Sequence, residues 1–322
     1  MRAVKIPPKV LTEDKKFMQN LCRKSPLQFP EKFKFPYNST RLCGIIAVAY
    51  LTIMTQNLAH IIAQCFVNIP FAEFDKYEHL VSQYSINPEI GLDGDALYTF
   101  SRQDFLDRST FLKDKGLSCT LHAPFHDMLP GARDQYVLQA VRDKLRRCFD
   151  LIEIFKPRSV VCHLGYVDCV HSYDPDQWLA TSLETWREML GVAAQYSTPI
   201  MFENTYEKDP RTHKIILKAL DSPLALFCLD AGHLLAFAHA PLHEWLATLG
   251  QWLGQLHLHD NHGSRDDHLP VGKGDFDFPG LFSYLKSRKI RPIVTLEPRS
   301  ESDLWDSLNA LDRLSIFDHK SD

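Results

Sequence analysis

The eight cysteines (22, 43, 65, 119, 148, 162, 169 and 228) are scattered, and no two of them form a Cys-x-x-Cys pair. That argues against a disulfide framework and for a reduced, cytosolic compartment, with the strand cysteines acting as small buried apolar residues. No Gly-x-Gly-x-x-Gly or Walker A stretch follows any expected strand, so dinucleotide and P-loop chemistry have no support. Gly272-Lys273-Gly274 sits in a loop without that context. Neither sign of charge dominates: 36 Lys and Arg stand against 40 Asp and Glu, a formal net charge of −4. The chain as a whole therefore exerts no electrostatic pull toward nucleic acid. Long apolar runs are also missing. The one candidate, 42–53, is cut short by Thr55, Gln56, Asn57 and His60, which is too early for a membrane span. As a signal peptide it has an overlong leader and no small-x-small cleavage site, so no membrane partner is expected.

What remains is an ordinary soluble composition, 45% hydrophobic and 24% charged, over 322 residues. Residues 1–64 differ from the rest. The first forty are Lys- and Pro-rich without a clean period, and the apolar run follows. We expect a helical or loosely ordered extension there; an over-long translation start is one account of it, since Met54 lies just before the regular pattern.

From residue 65 to 322 one theme repeats: a short β-rich run, a polar turn, an amphipathic helix. Strands are expected at 66–71, 89–93, 117–122, 159–163, 199–203, 224–230, 252–259 and 292–297. Helices are expected at 75–84, 102–115, 133–155, 175–196, 211–220, 241–249, 278–287 and 303–314. Strict alternation of strand and helix means parallel strands joined by crossover helices. Eight such units in about 250 residues fit a closed (β/α)8 TIM barrel.

The densest chemistry lies in Leu256-His257-Leu258-His259-Asp260-Asn261-His262, followed by Asp266-Asp267-His268. Alternating Leu and His has the period of a strand, so His257 and His259 share a face. Other strands end similarly: the third in His122, the fourth in His163, the fifth in Glu203, the sixth in Asp230 with His233 one turn on, and the eighth in Glu297. A single strand-end His is more often a hydrogen-bonded core residue, and a single Asp or Glu a helix N-cap. Neither explanation covers six strands in succession. In such a barrel the C-terminal strand ends meet at one mouth, where active sites sit. Nitrogen and oxygen donors together suit zinc or manganese.

Five segments carry a resemblance: Ser118-Cys-Thr-Leu-His122-Ala-Pro-Phe125, Phe202-Glu203-Asn204-Thr205, Leu229-Asp230-Ala-Gly-His233, His257-Leu-His-Asp260 and Leu296-Glu297-Pro298. Together they resemble the xylose-isomerase-like TIM-barrel superfamily, over about 66–315. That group joins sugar isomerases and epimerases to abasic-site nucleases of the endonuclease IV type. The resemblance implies two ligand sets. In the isomerases one divalent metal is held by residues matching Glu203, Asp230, His257 and Glu297, with Glu203 and Glu297 as the catalytic base and acid and His233 on the substrate. In the endonuclease type three zincs are held by residues matching His122, His163, Glu203, Asp230, His233, His257, Asp266, His268 and Glu297. The cofactor is thus one to three divalent ions.

A small sugar or sugar phosphate is the expected partner, and DNA only under the second reading. The chain lacks a long basic, aromatic loop to grip a duplex. Phe125, His259, Arg265 and Lys273 are the candidate substrate contacts. One departure from the ketose epimerases is Gly263, where they carry an Arg, with Arg265 two residues later. A catalytically inactive binding barrel would have lost ligands, and none is lost. An oligomer is compatible with the sequence, which does not define one.

Overall fold

In a computed structural model the chain is described over residues 58–317; the expectations for 1–57 lie outside the described residues. Eight parallel strands close on themselves in sequence order: β1 (Cys65–Pro70), β2 (Asn87–Gly91), β3 (Thr120–His122), β4 (Val160–His163), β5 (Ile200–Glu203), β6 (Ala225–Asp230), β7 (Leu253–Leu258) and β8 (Ile293–Leu296). β1 pairs with both β2 and β8, which completes the barrel. Each strand is followed by a main helix: α1 (Phe74–Tyr84), α2 (Arg102–Asp114), α3 (Gln135–Asp150), α4 (Pro175–Gln195), α5 (Arg211–Leu220), α6 (Leu242–Leu249), α7 (Phe278–Arg288) and α8 (Glu301–Arg313). Among the described residues no helix is long and apolar enough to cross a membrane.

Local chemistry sets the helix starts. Ser101 and Asp104 form a reciprocal capping box on α2. Asp134 accepts from the backbone N–H groups of Tyr136 and Val137, so α3 begins at residue 135, two later than expected. Asp174 and Asp277 cap α4 and α7, each with proline in the first turn. The helical stretch expected to run to residue 155 is two pieces, α3 and a short helix Ile152–Phe155 that ends in left-handed Lys156. β3 is shorter than expected because Ser118 bonds the Asn87 side chain instead of a ladder partner.

The outer core is aliphatic and aromatic, and Leu58, Ile61 and Ile62, ahead of β1, are already buried in it. Inside the barrel the side chains follow the period of two. One layer holds Val161, Met201 and Cys228 as a separate apolar cluster. At about the same level lie Glu89, Thr120, Gln255 and Thr295, all polar and fully buried. Two residues further along their strands come His122, His163, Glu203, Asp230, His257 and Glu297. The strand register thereby lifts six donor side chains to one end of the barrel.

Candidate metal centre

Glu203 sits at the middle of the mouth, buried, and its two oxygens face different neighbours. Oε2 lies 3.1 Å from Nε2 of both His122 and His163. Oε1 lies 3.1 Å from His233 Nδ1 and 3.4 Å from His257 Nδ1. Across the mouth, Glu297 Oε1 is 3.0 Å from the same His257 nitrogen, and Asp230 Oδ2 is 3.8 Å from it. Asp230 does two things at once. Its Oδ1 accepts from the His233 backbone N–H at 2.6 Å, the N-cap of the short helix Ala231–Phe237, while its Oδ2 faces the mouth.

A third group lies further out. Asp266 Oδ2 is 3.0 Å from His268 Nε2 and 3.5 Å from His233 Nε2, and Asp266 Oδ1 is 3.3 Å from His259 Nδ1. The His259 and His268 rings stack, 3.9 Å between centroids. Gly232 makes room for this: a Cβ there would stand 2.0 Å from His259 Cε1. The loop carrying Asp266 and His268 is folded around Asp260, whose carboxylate accepts from the backbone N–H groups of Asn261, Gly272, Gly274 and Phe276.

Most of these imidazoles are held from behind by an acceptor. A carbonyl cannot donate, so the ring nitrogen facing it carries the proton and the other nitrogen is bare. Nδ1 of His122, His233 and His268 donates to the backbone oxygens of Ala123, Asn204 and Glu297 respectively. Those rings present Nε2 to the mouth. His257 is turned the other way, with Nε2 facing Glu89 at 3.0 Å and Nδ1 pointing inward. Both nitrogens of His259 face carboxylates of the mouth, Nε2 Asp230 Oδ2 at 3.0 Å and Nδ1 Asp266 Oδ1 at 3.3 Å. Where such a nitrogen meets a carboxylate oxygen, either a second proton on the ring or a cation between the two satisfies the pair.

Three buried atoms of the cluster lack any hydrogen-bond partner: His257 Nδ1, His259 Nδ1 and Asp266 Oδ1. Orphaned buried polar atoms are costly unless something else satisfies them. Together with an all-nitrogen and -oxygen donor set, they fit a divalent ion. Protons take the strain when no ion does. Burial pushes the Glu203 and Glu297 carboxyls up, but His257 and the other surrounding imidazoles outweigh it and hold both well below the usual range. For His268, burial lowers the ring and Asp266 more than reverses it, to about 9. Against the effect of burial, His233 is likewise raised well above an ordinary imidazole by Asp230, Asp266 and Glu203, and His257 by Cys228 together with Glu89, Glu203 and Glu297.

All nine residues expected as ligands therefore meet in one mouth. Phe125 stands at its lip, its ring 5.4 Å from that of His122 and 5.3 Å from that of His163. His259, expected to face substrate, lies instead among the ligands and is buried. Arg265 pairs with Asp267, and Lys273 faces Asp306 on α8 at 4.0 Å, so each meets an acid outside the nine expected ligands. Glu89 escaped the sequence reading, although a glutamate inside the apolar run of a barrel strand is a signal in itself. The role of Asp260 as a loop anchor was equally hidden, since its partners are backbone groups.

A family model described as xylose isomerase-like TIM barrel matches residues 89–314. The chain belongs to that family. It is 27% identical over 212 residues to the uncharacterized protein MJ1311 of Methanocaldococcus jannaschii, covering 62% of this chain and 71% of that one. A second protein of that organism, MJ1614, is 25% identical over 190 residues, covering 58% and 74%. Among solved structures the fold resembles a D-tagatose 3-epimerase-like protein, with TM-score 0.67 at 21% identity over 78% of this chain and 96% of that one. It equally resembles the TTHB071 protein of Thermus thermophilus, from crystals soaked with zinc chloride, with TM-score 0.67 at 21% identity over 80% and 100%. A D-psicose 3-epimerase of Clostridium cellulolyticum, solved with D-tagatose, gives 0.65 at 14% over 78% and 98%.

Proposed function

We propose that the chain is a divalent-metal-dependent isomerase or epimerase of a small sugar or sugar phosphate, moving a proton between adjacent carbons. The observation that carries this reading is the pair Glu203 and Glu297. They come from β5 and β8, on opposite sides of the mouth, and converge on His257 Nδ1 at 3.4 and 3.0 Å. Both are held ionised, so one can take a proton from carbon on one face while the other returns it on the second face. Glu203, Asp230, His257 and Glu297 would hold the metal, which supplies Lewis-acid polarisation of the sugar's carbonyl and hydroxyl oxygens. His233, anchored through Nδ1 and less buried than the others, is placed to bond a substrate hydroxyl. Phe125 would close the pocket over the sugar and exclude water.

The rim supports a small substrate. Several cations on loops that follow the strands are matched by acids: Lys208 with Asp168 at 2.8 Å, Arg211 with Asp209 at 2.6 Å, Arg265 with Asp267 at 3.2 Å and Arg133 with Asp174 at 3.5 Å. Cations paired in this way add little positive charge for a duplex backbone to follow.

A second reading, an endonuclease IV-like zinc phosphodiesterase acting on abasic-site DNA, is favoured by one observation. His122, His163, His233, Asp266 and His268 converge on the same mouth, and a single-metal isomerase does not need them all. The test is incubation with a panel of ketoses and sugar phosphates in D2O. Deuterium appearing on a carbon next to the carbonyl is the expected result. No exchange on any sugar, together with cleavage of abasic-site DNA, would replace the first reading by the second.

A further inference from the structure

Beneath the metal centre, Glu89 is buried in the barrel interior, where residues are usually apolar. Five side chains from four other strands converge on its carboxylate. Oε1 takes the Asn68 amide at 3.3 Å and faces His257 Nε2 at 3.0 Å. Oε2 accepts from Gln255 at 2.7 Å, Thr120 at 2.9 Å and Thr295 at 3.1 Å. Gln255 is itself fixed, its Oε1 accepting from Ser159 on the far side at 2.6 Å. Burying a carboxylate is expensive unless every lone pair is used, and here they are.

We propose that Glu89 is a positioning residue for the metal centre: it holds the proton of His257 on Nε2 and so leaves Nδ1 bare toward Glu203 and Glu297. Three observations carry this. His257 is fully buried, and among the described residues Glu89 is the carboxylate that faces its Nε2. Its Nδ1 is without a hydrogen-bond partner and lies 3.4 Å from Glu203 and 3.0 Å from Glu297. The competing neighbour of Nε2, the Gln255 amide, is 3.4 Å away and directs its short bond to Glu89. An ionised carboxylate behind the ring also makes Nδ1 more basic, hence a stronger donor. Glu89 is fully buried, with both oxygens taken by side chains of the barrel interior. The remaining hydrogen bonds of its cage act to hold it ionised and in place.

The inference rests on His257 serving the metal, as the preceding reading requires, but not on the sugar chemistry. The full-length wild type and Glu89→Gln are stripped of metal and titrated with zinc against a chromophoric chelator. Circular dichroism and thermal melting are recorded on the metal-free proteins. Zinc affinity should fall about 10- to 100-fold in the variant. A purely structural knot would lower the melting temperature and leave the affinity unchanged, and that result overturns the proposal. A second measurement covers a variant that fails to fold: the 15N NMR tautomer of His257 in the metal-free wild type, at a pH where the ring is neutral. A proton on Nε2 supports the proposal and a proton on Nδ1 overturns it. A wild type that binds no zinc defeats the metal reading, and the tautomer alone then decides the role of Glu89.

Discussion

His257 Nδ1 lies 3.0 Å from Glu297 Oε1, yet no hydrogen bond joins them. With its Nε2 facing Glu89, the ring leaves Nδ1 to be satisfied by a second proton or by a cation shared with Glu297. The same pattern recurs between His259 Nδ1 and Asp266 Oδ1, 3.3 Å apart and both unpartnered. A mouth assembled this way is a candidate cation site.

Glu203→Gln and Glu297→Gln remove the two groups assigned to proton transfer while keeping their size. Each should lower kcat by about 100- to 10,000-fold, the usual worth of a positioned acid or base. Steady-state kinetics on whichever sugar shows deuterium exchange checks this. Near-normal turnover in either variant removes that residue from the mechanism.

His268→Ala separates the inner donors from the outer group. For a one-metal isomerase the change is mild, because Glu203, Asp230, His257 and Glu297 are untouched. Metal content and kcat measured on the same preparation decide it. A loss of bound zinc together with a collapse of activity would mean that the outer group takes part in the chemistry.

Stability of the metal-free protein should peak near the ordinary imidazole pKa of about 6.5 and fall on both sides. Above it, His268, raised to about 9, and His233, His257 and His122, also raised, hold protons that the unfolded chain has lost. Their stabilisation is complete below the unfolded value and is lost as pH rises through the folded ones. Below it, burial keeps His163 and His213 neutral while the unfolded chain takes up protons, so stability falls with pH. More acidic still, the depressed carboxyls of Glu203, Glu297 and Asp266 lose their advantage. Bound metal competes with the histidine protons, so zinc affinity should rise over the pH range in which metal-free stability declines. Chemical denaturation across about pH 5 to 9.5 is the measurement; a metal-free stability that climbs steadily through about pH 8 contradicts it.

Gly232→Ala would drive a methyl into the His259 ring, which is stacked on His268 and cannot swing away freely. Overpacking of this kind costs about 1–3 kcal/mol. Thermal melting should show that loss, accompanied by weaker metal retention. An unchanged melting temperature would mean that the His259 ring is looser than its contacts imply.

All eight strand–helix units were legible, because parallel barrel strands are apolar runs separated by amphipathic helices. So were the nine donors, since strand order carries strand-end residues to one mouth without any knowledge of side-chain angles. What stayed hidden was long-range. Glu89 meets His257 from a strand 168 positions earlier in the chain, a separation no local pattern encodes. His259, a candidate substrate contact from the sequence, lies past the last residue of β7, where its ring faces Asp230 and Asp266. Arg265 and Lys273 were named for their charge, and the acids that neutralise them sit on a neighbouring turn and on α8.

Elemental analysis of protein purified without added metal or chelator tests the central claim most directly. The account predicts about one retained divalent ion per chain, exchangeable for manganese or cobalt, as a Lewis-acid proton-transfer site requires. About three tightly held zincs would turn the site over to phosphodiester hydrolysis, and a folded chain that holds no metal under any loading would contradict the metal centre itself.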